Sequence, residues 1–450
     1  MGEKSKFSNK LGFVLAAAGS AVGLGNIWRF PYLAAKYGGG AFLIIYLIFV
    51  VTFGFSVMIT EVSIGRKTGA SPIKAFYKLN KKYTFIGVLA ALVAFLILPY
   101  YSVIGGWVIK YLVAYLSGQH AAVSGDAFFS SYTAQTWEPI IWQAVFVLAT
   151  FLVVIRGVKE GIEKASKILM PILIVLSVLI AVYSVTLPGA LEGVKYFFLP
   201  SISNFSVQTV LGALGQMFYS MSLAMGIMIT YGAYLRKEDD LEGSVKHIEL
   251  FDTGVAVLAG LMIIPAVFAF SGGDQSALNA GPGLMFVTLP KVFEKMGMST
   301  VIGSAFFALV LFAALTSSIS LMEAVVSTFC ENLKLTRKKA ALLAMVLAIL
   351  IGIPSSLGFG AWSGFKILGF DILDFMDFIT NAVLMPVGAL LTCLFVGYVI
   401  KVNVVTDEVK KSSPFKREKM YRVIIKYIAP ICILAILISS VLNAFGIIKI

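Results

Sequence analysis

Asn26 and Arg29 lie in the stretch AAAGSAVGLGNIWRFP, and Ser220 and Ser222 in GQMFYSMSLAMG, within apolar runs where polar side chains are rare. An Arg at span depth costs about 2.5 kcal/mol or more unless it is paired or wetted. The same stretches carry Gly19, Gly23, Gly25 and Pro31, and then Gly215 and Gly226, residues that weaken or break a helix. Polar groups gathered at two helix breaks are suited to holding a ligand. Intramembrane hydrolysis instead needs a Ser–His pair, paired Asp or a metal-ligand set. Both histidines, His120 and His247, fall in loops, and Asp252 and Asp374 belong to different runs, which argues against an enzyme. Without a histidine at span depth or a cysteine cluster, zinc and haem lack a ligand set.

The elements that must position these residues are helices crossing a bilayer. Of 450 residues 59% are hydrophobic and 13% charged, and the mean hydropathy is +0.92, too little polar surface to coat a soluble globule. Apolar runs of about 20 residues, the length that crosses ~30 Å of hydrocarbon, predict an all-α polytopic membrane protein. Its eleven spans fall at 11–35, 41–65, 84–117, 139–155, 166–186, 207–235, 250–271, 300–329, 339–358, 369–400 and 421–446. The runs are long and unbroken, unlike the alternating segments of a barrel.

Most of the 36 basic residues fall in the N-terminal tail and in the stretches 66–83, 156–167, 236–249, 331–339 and 401–426. By the positive-inside rule the N-terminus is cytoplasmic, and an odd number of spans puts the C-terminus outside. The net charge of +13 is then explained by loops facing an anionic leaflet, with no need of nucleic acid. Cys330, Cys393 and Cys432 sit in or at the ends of apolar runs and imply no disulfide framework. The Gly-rich first run lacks a small-residue cleavage site, so no cleavable signal peptide is expected.

The first and sixth spans are the interrupted ones. If spans 1–5 and 6–10 are two copies, each opens with its discontinuous helix, and five helices per copy make the second inverted. Interrupted segments at corresponding places in two halves point to a transport site near the bilayer midplane. A plainer reading makes Gly19 and Gly23 a helix-packing face, though glycines alone do not explain Asn26, Ser220 and Ser222. A dinucleotide-binding glycine motif is excluded, because GLGNIW follows no strand.

These residues carry a resemblance. The stretch AAAGSAVGLGNIWRFPYLAAKYGGGAF, then EVSIGR, GQMFYSMSLAMG, LTSSIS and FDILD in order, resembles the neurotransmitter:sodium symporter family, especially its eleven-helix bacterial transporters of hydrophobic or aromatic amino acids. The resemblance implies a sodium-coupled symporter importing amino acids by alternating access through the plasma membrane. Its partners would be the amino acid, sodium ions and the lipid bilayer, with no organic cofactor; the oligomeric state stays open. It implies two Na⁺ sites. The first would use the Ala21 carbonyl, Asn26, Ser220, Asp252 and the substrate carboxylate. The second would use the Gly19, Val22 and Ala313 carbonyls with the hydroxyls of Thr316 and Ser317. For Asp252 the alternative is an exposed acid just before the seventh span, and for Thr316 and Ser317 it is back-bonding to their own helix.

For the substrate, the resemblance implies the backbone around Ala21, Gly23 and Gly25, the hydroxyl of Tyr101, and Ile104, Tyr219, Ser220, Ser222, Met225, Met228 and Leu321. Met225 stands where relatives for small aliphatic amino acids resemble a Phe, so the pocket is expected to take aromatic or large apolar side chains. Chloride-dependent relatives resemble an Asn at Asp252, with chloride beside residues matching Tyr46, Gln216 and Ser220; a carboxylate here implies chloride independence. The gates would be Arg29 with Asp374 on the outside, Asp377 being the competing partner, and Lys4 with Glu331 over Phe7 and Tyr234 on the inside. Gly161 and Pro171 match a motif that lets the fifth span unwind, although a Pro in a first turn is also a good helix start. The expected organisation is a tail at 1–10, repeats at 11–186 and 207–400, an outer loop at 187–206, an inner loop at 401–420 and the last helix at 421–450. A channel or a sensor on the same scaffold is the alternative function.

Overall fold

A computed structural model describes residues 6–271 and 283–447, so Lys4 lies outside the described residues. Among the described residues the chain is helical, with one isolated two-residue bridge, Ile367 to Phe370. Eight helices are each long and apolar enough to cross a membrane, and the bent pair Lys10–Ala21 and Gly25–Lys36 makes a ninth. The helix Glu138–Val154 and the two pieces Val207–Ser220 and Ile227–Tyr234 complete the eleven spans. This is an all-α polytopic membrane protein. The third span packs most extensively on the eighth, Ser299–Asn332, and both face the broken helices.

In the first span, Asn9 caps Lys10–Ala21 by accepting the Gly12 amide at 2.8 Å. The helix stops at Val22, which is extended, and resumes as a π-helical turn at Gly25–Arg29, with the two pieces bent by 55°. Gly25 is required there: a Cβ would lie 2.7 Å from the Tyr219 ring.

The sixth span stays helical through Gly215 to Ser220, so Gly215 does not interrupt it. The break covers 221–226, where Ser222, Ala224 and Gly226 all have positive φ. Unwound backbone inside a membrane protein needs partners of its own, and other spans provide them. Glu61, 1% exposed, accepts the Ala224 amide at 2.7 Å. Ser222 donates to the Ser20 carbonyl at 2.9 Å, and Gln216 donates to the Gly25 carbonyl at 2.9 Å. Side chains of the sixth span thus satisfy carbonyls beside the first break, while the second span satisfies the sixth.

Two boundaries differ from expectation. The seventh span begins at Leu241, which places Asp252 well inside the helix and removes the exposed-acid reading. The fifth begins with a π-helical turn at Val158–Glu163, so Pro171 lies inside the following helix, Lys164–Val185, and not in a first turn.

Candidate functional site

Asn26 meets the seventh span through its amide, which donates to the Asp252 side chain at 2.7 Å and to the Asp252 carbonyl at 3.1 Å. Ser220 contacts both carboxylate oxygens, at 3.0 and 2.9 Å, and the Tyr46 hydroxyl reaches the group at 3.5 Å. Asp252 and Asn26 are fully buried and Ser220 nearly so. Every group facing the carboxylate is neutral, and among the described residues no Lys or Arg pairs with it. A buried charge with no counterion is expensive. A small cation coordinated by these oxygens would remove that penalty, with the Asn26 amide turned to present its oxygen. Ala21 lines the adjoining cavity.

A second cluster of oxygens forms where the eighth span meets the first break. The Ser317 hydroxyl lies 3.0 Å from the Ser20 carbonyl, 3.3 Å from that of Val22 and 3.5 Å from that of Gly19. Thr316 bonds back to the Phe312 and Ala313 carbonyls, both at 3.0 Å. Self-bonding thus describes Thr316, whereas Ser317 reaches across to the first span. Gly23 makes room for this approach, since a Cβ there would lie 2.7 Å from the Ser317 hydroxyl oxygen. An all-oxygen, formally neutral set of this kind suits a hard monovalent cation.

Between the clusters lies a central cavity of about 40 Å³, lined by Ala21, Gly23, Gly25, Tyr101, Tyr219, Ser220, Ser222, Met225 and Leu321 among others. Among the described residues the Tyr101 hydroxyl, buried there near Ser317 and the Leu24 backbone, completes no hydrogen bond, and it is a donor positioned for a bound group. Two expected residues fall elsewhere. Ile104 lines the outer cavity, and Met228, fully buried, does not reach the central one. The lining also contains Ile97, Tyr100 and Asn381, which the sequence did not single out. Asn381 donates to Asp377 at 2.6 Å and to the Tyr100 hydroxyl at 3.1 Å. The i, i+4 spacing of Asp377 and Asn381 in an apolar run was the available signal.

Above the tyrosines an outer cavity of about 560 Å³ holds Arg29, Asp374 and Asp377. The guanidinium of Arg29 sits 4.9 Å over the Tyr219 ring, a cation–π contact. Among the described residues Arg29 and Asp374 form no ion pair. Asp377 is the carboxylate within electrostatic reach of Arg29, while Asp374 faces Asp371, Asp377 and Lys366. Of the two candidate acids, Asp377, one turn along from Asp374, is therefore the one facing Arg29.

On the opposite side Phe7 is buried edge-on against Phe13, Tyr231 and Tyr234. Tyr234 donates to Glu323 at 2.7 Å, and Glu323, fully buried, pairs with Arg337. Glu331 accepts from the Ser71 amide and hydroxyl. Glu323 and Arg337 were missed, although a lone acid inside the eighth apolar run is itself a signal.

The whole chain has relatives. A profile of the sodium:neurotransmitter symporter family matches residues 4–134 and 133–447. The uncharacterized sodium-dependent transporter YhdH of Bacillus subtilis (strain 168) is 38% identical over 443 residues, covering 97% of each chain. The sodium- and chloride-dependent taurine transporter of Rattus norvegicus is 27% identical over 407 residues, 79% of this chain and 65% of the other. Among solved structures, that of MhsT in complex with L-phenylalanine matches with a TM-score of 0.87 at 40% identity, over 97% of this chain and 100% of the other. With the likeness running through nearly its whole length, the chain belongs to the sodium:neurotransmitter symporter family and is a sodium-dependent membrane transporter, not an enzyme.

Proposed function

We propose that the protein imports an aromatic or large apolar amino acid together with two sodium ions and without chloride. The observation that carries this reading is Asp252, a fully buried carboxylate held, among the described residues, by the neutral donors of Asn26, Ser220 and Tyr46. One Na⁺ beside it, completed by the Ala21 carbonyl and the substrate carboxylate, leaves the region close to neutral. The second ion would take the Gly19, Val22 and Ala313 carbonyls with Thr316 and Ser317. The Tyr101 hydroxyl, which lines the cavity, would donate to the substrate carboxylate, and the broken ends of the first span would receive its charged groups.

Selectivity rests on Met225, whose flexible thioether lines the same cavity as Tyr219 and adapts to a ring. The 40% identical MhsT, solved with L-phenylalanine, supports the same class. The cavity of about 40 Å³ has room for roughly one to three waters, so an amino acid can occupy it only after the Tyr101 and Tyr219 side of the cavity moves. Alternating access would then be a rocking of the two repeats, 11–186 and 207–400, between the Arg29 side and the Phe7 side. The N-terminus would face the cytoplasm and the C-terminus the outside, as the basic loops require.

The test is uptake into proteoliposomes of each of the twenty amino acids, with and without an inward Na⁺ gradient. Sodium-driven accumulation confined to Phe, Tyr, Trp and the larger aliphatics supports the reading. Preference for Gly, Ala or a charged amino acid overturns the substrate class.

A further inference from the structure

A cleft of about 490 Å³ opens between the end of the tenth span and the start of the eleventh, lined by Tyr398, Lys401, Asn403, Arg422, Lys426 and Tyr427 among others. It plays no part in the transport site. Three cations surround it, and one nearby carboxylate, Glu418, takes Arg422 at 2.8 Å and also Lys410 at 2.8 Å. Other donors of Arg422 are taken by Asn403 and Thr406. Lys401 and Lys426 have no acidic partner among the described residues. The Lys426 ammonium lies 5.3 Å from the Tyr427 ring and 5.8 Å from that of Tyr398. Lys401 stands at the rim, at the end of the tenth span, with a positive φ of 65°.

Both walls carry π-helical turns, Phe395–Val399 and Ile424–Ile428, and the Tyr398 hydroxyl bridges them by donating to the Lys426 carbonyl at 2.7 Å. Tyr398 and Tyr427 are each about half exposed, as are aromatic residues at the level of lipid headgroups. A second groove of about 500 Å³ begins at the same stretch and shares Val423 with the cleft. Its walls are mostly apolar, from Ile48, Phe49 and Phe53 of the second span and Met420, Ile424 and Ile428 of the eleventh, with Thr52 and Lys419 also lining it. A basic, tyrosine-walled cleft that shares the wall residue Val423 with an apolar groove, at the ends of two spans, matches a charged headgroup with an attached acyl chain.

We propose that this cleft binds an anionic phospholipid. The phosphodiester sits between Lys401 and Lys426, and an acyl chain crosses Val423 into the apolar groove. Arg422 is a positioning residue, fixed by Glu418 and Asn403. Basic clefts between membrane helices on the side facing an anionic leaflet are suited to such headgroups. The site is independent of which amino acid is carried.

The test uses the full chain, delipidated in detergent, with phosphatidylglycerol or phosphatidylcholine of identical acyl chains titrated and bound lipid counted by native mass spectrometry. Wild type should hold phosphatidylglycerol more tightly than phosphatidylcholine. The double variant Lys401→Gln/Lys426→Gln should lose about thirty-fold in phosphatidylglycerol affinity, roughly five-fold per lysine, with phosphatidylcholine unchanged. Lys338→Gln/Lys339→Gln removes the same charge from another exposed basic stretch and should leave binding intact. Should the double variant misfold, the single variants Lys401→Gln and Lys426→Gln carry the test. Equal affinity for the two lipids in wild type, a Lys401/Lys426 variant that keeps the preference, or a Lys338/Lys339 variant that loses it equally overturns the proposal. If glycerol 3-phosphate alone displaces the lipid at equal concentration, the ligand is a soluble phosphate and the lipid assignment falls.

Discussion

The Asn26 amide nitrogen stands 2.7 Å from a carboxylate oxygen of Asp252, 226 positions along the chain. The contact joins the first helix break to the seventh span. It also puts a formal negative charge where Na⁺ and a zwitterionic substrate together would bring a net positive one.

If that charge is what balances the sodium ion, replacing chloride by gluconate should leave wild-type uptake unchanged. Asp252→Asn keeps the size and one oxygen but removes the charge. Its uptake should collapse without chloride and partly recover with it, provided Tyr46, Gln216 and Ser220 cradle the anion. Near-normal transport by the variant, indifferent to chloride, would remove Asp252 from the site.

Met225→Phe should narrow the central cavity and move preference from Phe, Tyr or Trp toward Leu and smaller side chains. The shift expected is about 1–3 kcal/mol per methylene-scale misfit, or roughly ten- to two-hundred-fold. Competition against a labelled substrate gives the ranking, and an unaltered ranking would show that the side-chain pocket lies elsewhere.

Gly25→Ala places a Cβ 2.7 Å from the Tyr219 ring, on which Arg29 rests. Overpacking of this kind costs about 1–3 kcal/mol, so substrate affinity at saturating Na⁺ should fall by about five-fold or more. Binding within two-fold of wild type would mean that Tyr219 moves freely and does not shape the site.

Outside the spans, His120 lies 2.9 Å from Glu294. Hydrogen bonds from His120 and then Ser299 hold the Glu294 carboxyl below its usual range. A lowered carboxyl pKa gives stability that is present above the unfolded value, about 4.3, and is lost as pH falls through the folded value. Protection of the helix Leu289–Lys295 against hydrogen exchange should therefore drop below about pH 4, and Ser299→Ala should lessen that drop. A pH-independent protection pattern would exclude the link.

The breaks were legible in the sequence because their causes are local: Gly19, Gly23 and Gly25 cluster around Asn26, and Ser222 and Gly226 mark the sixth span. Asp252 stood out as an acid beside an apolar run. What escaped depends on distant neighbours. Gly215 stays helical, and the real break begins at 221 because Glu61, from the second span, waits for the Ala224 amide. The seventh helix starts at Leu241 because the mixed polar stretch 241–249, with Leu241, Glu242, Ser244, Val245, Ile248 and Glu249 buried, continues it beyond the apolar run. Asn381 and the Ser20 carbonyl joined the site only once three spans were brought together. The partner of Arg29 could not be chosen between Asp374 and Asp377 from spacing alone, since both are one turn apart on the same helix.

Sodium coupling is the central claim, and it is tested most directly by accumulation of labelled L-phenylalanine in proteoliposomes under an inward gradient of Na⁺ or of K⁺ alone. The oxygen sets around Asp252 and Ser317, one of them completed by the substrate carboxylate, predict concentrative uptake with Na⁺ and mere equilibration with K⁺. Undiminished accumulation in the potassium-only gradient would contradict the account.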